Sequence, residues 1–178
     1  SKNGSKVVAE GKVGDVPFTT IYYDKNGKKS REIVHGCYED IYTPDGLKNI
    51  LSTFKEVPKN RLVVLFGCGG DRDRTKRPLM GRTACENSDY VFLTNDNPRT
   101  EDPRQIFTDI QVGMEGFSNY TIEPDRRKAI FAAIKMAQKN DIVIIAGKGH
   151  EQTQKIDHKV LPFSDQKTVR EALRGEHV

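Results

Sequence analysis

Three short stretches carry residue types that could hold a charged small molecule. In "FGCGGDRDRTKRP" three glycines among four residues allow a tight turn and can present backbone amides to an anion, with Arg72 and Arg74 supplying charge. In "TNDNPR" a proline-stiffened turn carries Arg99, whose planar fork suits a carboxylate, and Asn97, which can both donate and accept. In "AGKGHEQ" Gly147 and Gly149 precede Glu151, an acid able to take an ammonium group. Each loop alone is also what an ordinary turn looks like. Their coincidence matters, because each directly follows an apolar run.

Those runs define the elements that must position the loops. "RLVVLFG", "DYVFLTN" and "DIVIIAGKG" are continuous apolar stretches, as expected of strands buried on both faces. Between them lie helical patterns. "TPDGLKNILSTFKEV" has a Thr cap, Pro at the first helical position, and Leu47, Ile50, Leu51 and Phe54 at helical spacing. "KRPLMGRTACENS", "EDPRQIFTDIQVGM", "DRRKAIFAAIKMAQKN" and "FSDQKTVREALRG" read as further helices, the last closed by Gly175, and "YTIEP" as a weak strand. The expected fold class is α/β, a Rossmann-like, mostly parallel sheet with helices on both faces. Ligands bind such sheets beyond the carboxyl ends of the strands, so one mouth should collect Arg72, Asn97, Arg99 and Glu151.

The beginning reads differently. "FTTIYYDKNGKKSREIV" has two β-rich arms around Asn26-Gly27, predicting an antiparallel hairpin, and the opening residues are expected to be disordered. The division is an N-terminal β-hairpin extension over 1–40 and an α/β domain over 41–178.

The chain has 178 residues, 35% of them hydrophobic and 30% charged, enough for one domain with its own core. Cys37, Cys68 and Cys85 are odd in number and far apart, which argues against a disulfide framework and for a reducing compartment. The four histidines, His35, His150, His158 and His177, form no metal-binding pair, and no metal site is expected. The net charge of +4 is spread among acids, so no nucleic-acid partner is expected. No leader-like or membrane-spanning run is present, and a cytoplasmic location is expected.

From "TPDGL" to "REALRG" the sequence resembles the C-terminal domain of the Mur ligases. The carrying motifs are "FGCGGDRDRTKRPLMG", "DNPRTEDPR", "AGKGHE" and "FSDQ". They resemble the MurE type, the UDP-N-acetylmuramoyl-tripeptide synthetases of peptidoglycan biosynthesis, in the branch that adds meso-diaminopimelate. The resemblance implies substrate-binding roles for Arg72, Asn97, Arg99, Gly147 and Glu151, with Asp96 as a supporting neighbour. It also implies an ATP-dependent reaction. ATP and Mg2+ serve the full-length family enzyme, which phosphorylates the terminal carboxylate of UDP-MurNAc-dipeptide before the diaminopimelate amine attacks.

Nothing in the chain matches G-x-x-x-x-G-K-[ST], so ATP and Mg2+ are not expected to be held by this chain alone, and it is not expected to turn over in isolation. The chain also departs from the family's Asp-Tyr-Ala-His before Thr-Pro-Asp, with Glu39 at the aspartate position and Tyr42 at the histidine position. Two readings stay open. One is the amino-acid-binding domain of a diaminopimelate-adding ligase, which would meet UDP-MurNAc-dipeptide through other domains. The other is a free-standing, non-catalytic module that binds diaminopimelate or muropeptides. A general nucleotide binder is a weaker third, since "GCGGDR" lacks G-x-G-x-x-G.

Overall fold

Alternating inward residues fix the layers of the structure. In β4 (Leu62–Phe66), Leu62, Val64 and Phe66 enter one apolar cluster while Val63 and Leu65 enter another. Likewise, β7 (Ile142–Ile145) sends Ile142 and Ile144 to the first cluster and Val143 and Ile145 to the second. Period-two alternation with both faces apolar requires helices on both sides, which is why these strands read as unbroken hydrophobic runs.

The computed structural model describes residues 6–13, 16–23, 29–35, 43–56, 59–149 and 151–175, the first three segments by backbone alone. Strands β1 (Lys6–Val13), β2 (Val16–Tyr23) and β3 (Lys29–His35) are followed by α1 (Pro44–Lys55), β4, α2 (Lys76–Asn87) and β5 (Tyr90–Leu93). Then come α3 (Pro103–Gln111), a short 3-10 turn, β6 (Tyr120–Ile122), α4 (Arg126–Met136), β7, β8 (Thr153–Ile156), β9 (Lys159–Pro162) and α5 (Asp165–Leu173). The main sheet has the order β1-β2-β3-β7-β4-β5-β6, and β8-β9 is a separate ribbon. From β3 through β6 every neighbouring pair is parallel. The expected α/β class and mostly parallel sheet are present.

Helix starts follow the caps in the sequence. The Thr43 hydroxyl accepts from Gly46 N at 3.0 Å and Pro44 opens α1, whose Leu47, Ile50, Leu51 and Phe54 are buried as expected. Asp102, Asp125 and Ser164 cap α3, α4 and α5 in the same way. α1, α2 and α3 cover one sheet face, and α4 and α5 the other.

The two arms expected around Asn26-Gly27 are β2 and β3, paired antiparallel; the turn itself lies outside the described residues. The expectation of disorder at the start is corrected for Lys6–Val13, which pairs with β2 as an edge strand. An edge strand is held by backbone ladder bonds and needs no apolar periodicity, so its sequence carried little signal. β3 also pairs with β7, making the hairpin part of the main sheet. No helix among the described residues is long and apolar enough to cross a membrane.

Candidate functional site

Parallel register sets the site. Leu65 pairs with Ile145 and Phe66 with Leu93, so the loops after β4, β5 and β7 leave from one edge of the sheet. They enclose a cleft of about 430 Å³ whose lining includes Arg72, Asp96, Asn97, Arg99 and Glu151. Gly147 is not part of that lining; it adopts φ +117°, and a Cβ there would lie 3.6 Å from Asp96 Cγ.

The glycine-rich loop earns its glycines through close approach. A Cβ on Gly70 would fall 1.8 Å from the Pro98 carbonyl oxygen, so only glycine lets the first loop seat on the second. The Gly70 amide donates to Asn97 O at 2.9 Å. It is therefore spent within the protein and is not open to an anion. The left-handed turn falls on Asp71, with φ 53°. Asp71 accepts from the Thr100 hydroxyl at 2.8 and 2.9 Å, and its amide donates to Glu101 Oε1 at 2.6 Å.

Arg99 is half-buried and sits at φ 55°, a strained conformation for a non-glycine residue. The β8 strand holds it there. Arg99 N donates to Lys155 O at 3.0 Å, and Asp157 N donates to Arg99 O at 2.7 Å. Its Nη1 donates to Gly70 O at 2.7 Å, which fixes the guanidinium beside the cleft. A Cβ at Gly69 would lie 2.7 Å from Arg99 Nη1 and 3.7 Å from Arg72 Cγ, so the two arginines flank Gly69. The acids next to Arg99 in sequence are engaged elsewhere: Glu101 with Arg74 and Arg77, and Asp102 as the α3 cap.

The anionic side is built around Asn97. Its Nδ2 donates to Glu151 Oε2 at 3.0 Å, while its Oδ1 accepts from Lys148 Nζ at 2.7 Å and Lys155 N at 2.9 Å. Asn97 thus spends its acceptor, and one donor proton, on the protein. Asp96 is 1% exposed and its Oδ1 has no hydrogen-bond partner among the described residues. Burial pushes its carboxyl pKa above the ordinary range, opposed by Arg126 and Lys148 and reinforced by Glu151 and Asp165.

Three supporting groups were not singled out from the sequence. Lys148, inside "AGKGHE", is fully buried, although a lysine ordinarily signals solvent. Arg77 is 1% exposed and binds Glu101, Asp109 and Gly69 O, tying α2 and α3 to both loops. Arg126 Nε and Nη2 grip Asp165 at 2.8 and 2.7 Å behind the site. All three stand within or beside motifs already singled out, and that placement was their available signal. His150, Cys37, Glu39 and Tyr42 lie outside the described residues.

Fold and cleft together define an α/β domain with a cleft at the carboxyl edge of the sheet, where such sheets bind ligands. Residues 42–149 match the family described as "Mur ligase, glutamate ligase domain", and the chain belongs to the Mur ligase family. It is similar to the UDP-N-acetylmuramoyl-L-alanyl-D-glutamate--2,6-diaminopimelate ligase of Prochlorococcus marinus subsp. pastoris, 50% identical over 149 residues, covering 84% of this chain and 29% of that protein. The ligase of the same name from Syntrophomonas wolfei is 53% identical over 137 residues, covering 76% of this chain and 28% of that protein. A solved structure of a ligase so named superposes with a TM-score of 0.79 at 42% identity, covering 93% of this chain and 32% of the other. The chain spans under a third of the length of these relatives.

Proposed function

We propose that this chain is the amino-acid-binding domain of an ATP-dependent ligase that adds meso-diaminopimelate to UDP-MurNAc-dipeptide. The observation that carries the proposal is the convergence of Arg72 and Arg99 with Glu151 and Asp96 on the lining of a single cleft. Diaminopimelate has an ammonium and a carboxylate at each end. Arg99 and Arg72 bind the carboxylate that lysine lacks, and Glu151 binds the neighbouring ammonium.

The names of the relatives support this substrate, and the loop-to-loop contacts support a site formed before ligand arrives. The chain's contribution is orientation: it holds the amino acid so that one amine is presented outward. ATP and Mg2+ belong to the complete family enzyme. Among the described residues the Gly70 amide is bonded to Asn97 O, and no acidic, cysteine or histidine cluster suited to a metal occurs.

Calorimetric titration of the chain with meso-diaminopimelate and with L-lysine tests the proposal. Binding of diaminopimelate at least about tenfold tighter is expected, the smaller end of what one charge-assisted contact supplies. Equal affinities would contradict it.

A further inference from the structure

We propose that Lys148 is a positioning residue that orients Asn97 and, through it, aims Glu151 into the cleft; this deepens the diaminopimelate-binding reading and rests on it. Lys148 is 0% exposed, yet its Nζ reaches Asn97 Oδ1 at 2.7 Å and Thr153 O at 2.9 Å. It also lies 3.5 Å from Glu151 Oε2 and 3.5 Å from Asp96 Oδ1. A buried ammonium surrounded by four oxygens is oriented by all of them, and it orients them in turn.

The consequence for Asn97 is specific. An ammonium only donates, so the amide face turned to Lys148 must be the oxygen. The Lys155 amide, 2.9 Å away, makes the same demand. Nδ2 is thereby turned to Glu151, 3.0 Å away. Lys148 therefore acts on the carboxylate twice, by setting the donor that holds it and by placing a positive charge behind it. Its link to Thr153 O anchors the arrangement to the start of β8, the strand whose Lys155 carbonyl accepts from Arg99 N. The ammonium-binding and carboxylate-binding halves of the cleft share this support.

NMR of the ligand-free chain decides the positioning role independently of any substrate. The wild type should show an exchange-protected Lys148 ammonium and protected Asn97 Nδ2 protons. Lys148→Met, which leaves only the Lys155 amide on Oδ1, should speed exchange of the Asn97 Nδ2 protons and leave the Arg126 Nε–H signal in place. An Asn97 signal unchanged by Lys148→Met would overturn the proposal. If Lys148→Met does not fold, Asn97→Ala serves instead, and it should speed exchange of the Lys148 ammonium; an ammonium already unprotected in the wild type would overturn the proposal equally.

The second arm is a double-mutant cycle on meso-diaminopimelate binding. Lys148→Met should weaken binding about tenfold or more alone, but much less in a Glu151→Gln background, because Lys148 acts through that carboxylate. Losses that multiply independently would mean a role unrelated to Glu151. A wild type that does not prefer diaminopimelate to lysine contradicts the proposed function, whereas a diaminopimelate affinity unchanged by Lys148→Met contradicts only this inference.

Discussion

Replacing Arg77 with methionine should cost about 3 kcal/mol at pH 7, and most of that cost should vanish in acid. Arg77 is 1% exposed and donates to both oxygens of Glu101, at 2.9 and 3.0 Å, and to Asp109 at 2.8 Å. The two bonds to Glu101, first among the causes, hold its carboxyl at about 2 in place of its ordinary 4.5, with smaller help from the Asp71 amide and Arg74. Linkage converts that difference to about 3 kcal/mol, the low end for breaking a buried ion pair. The low end is reasonable because Glu101 and Asp109 keep 11% and 20% exposure and can recover some water.

The sign follows from the folded value lying below the unfolded one. The stabilisation is fully present above about pH 4.5 and is lost as pH falls toward 2. By pH 3 about 2 of the 3 kcal/mol should be gone. Urea unfolding of wild type and Arg77→Met at pH 7 and pH 3 measures both differences. A gap of about 3 kcal/mol shrinking to about 1 is expected. A gap of the same size at both pH values would refute the reasoning and assign Arg77 to packing alone.

Two further predictions concern the same loops. Gly70→Ala places a Cβ 1.8 Å from the Pro98 carbonyl oxygen, so the loops must separate. It should cost about 1 to 3 kcal/mol in thermal or urea unfolding and weaken diaminopimelate binding, and an unchanged melting temperature would show that the loops do not touch. Burial pushes the thiols of Cys68 and Cys85 up to about 12 and about 11. Iodoacetamide at pH 8 should therefore modify both peptides slowly in the native protein and rapidly in urea, as read by mass spectrometry; rapid native alkylation of Cys68 would contradict its raised pKa.

The legible parts of this fold were those in which burial dictates sequence. Strands β4, β5 and β7 and the apolar face of α1 could be read because both their positions and their periods are forced by the core. The ribbon β8-β9 could not. All four residues of β9 are exposed, and its turn uses Asp157 and His158 at φ 46° and 59° where glycine or asparagine would have signalled it. Its absence from the reading mattered, since β8 is the strand that holds the Arg99 backbone.

The candidate residues were legible as types at strand ends, and five of the six line the cleft, Gly147 being the exception. Their assignments within the site were less legible. Asn97 looks like a ligand group in sequence, but its acceptor is consumed by Lys148 and Lys155. Lys148 looks like a surface residue, and only tertiary placement reveals it as buried.

The central claim is that Arg99 reads the carboxylate that separates meso-diaminopimelate from lysine. Its half-buried guanidinium is fixed by a 2.7 Å bond to Gly70 O, which Arg99→Ala removes along with the charge. The most direct measurement is the ratio of affinities for the two amino acids in wild type and Arg99→Ala. Loss of a charge-assisted contact of about 1.5 to 3 kcal/mol should lower diaminopimelate affinity by roughly one to two decades while lysine affinity stays nearly constant, collapsing the ratio toward one. Equal losses for both ligands, with the ratio preserved, would show that Arg99 shapes the loop without reading the substrate.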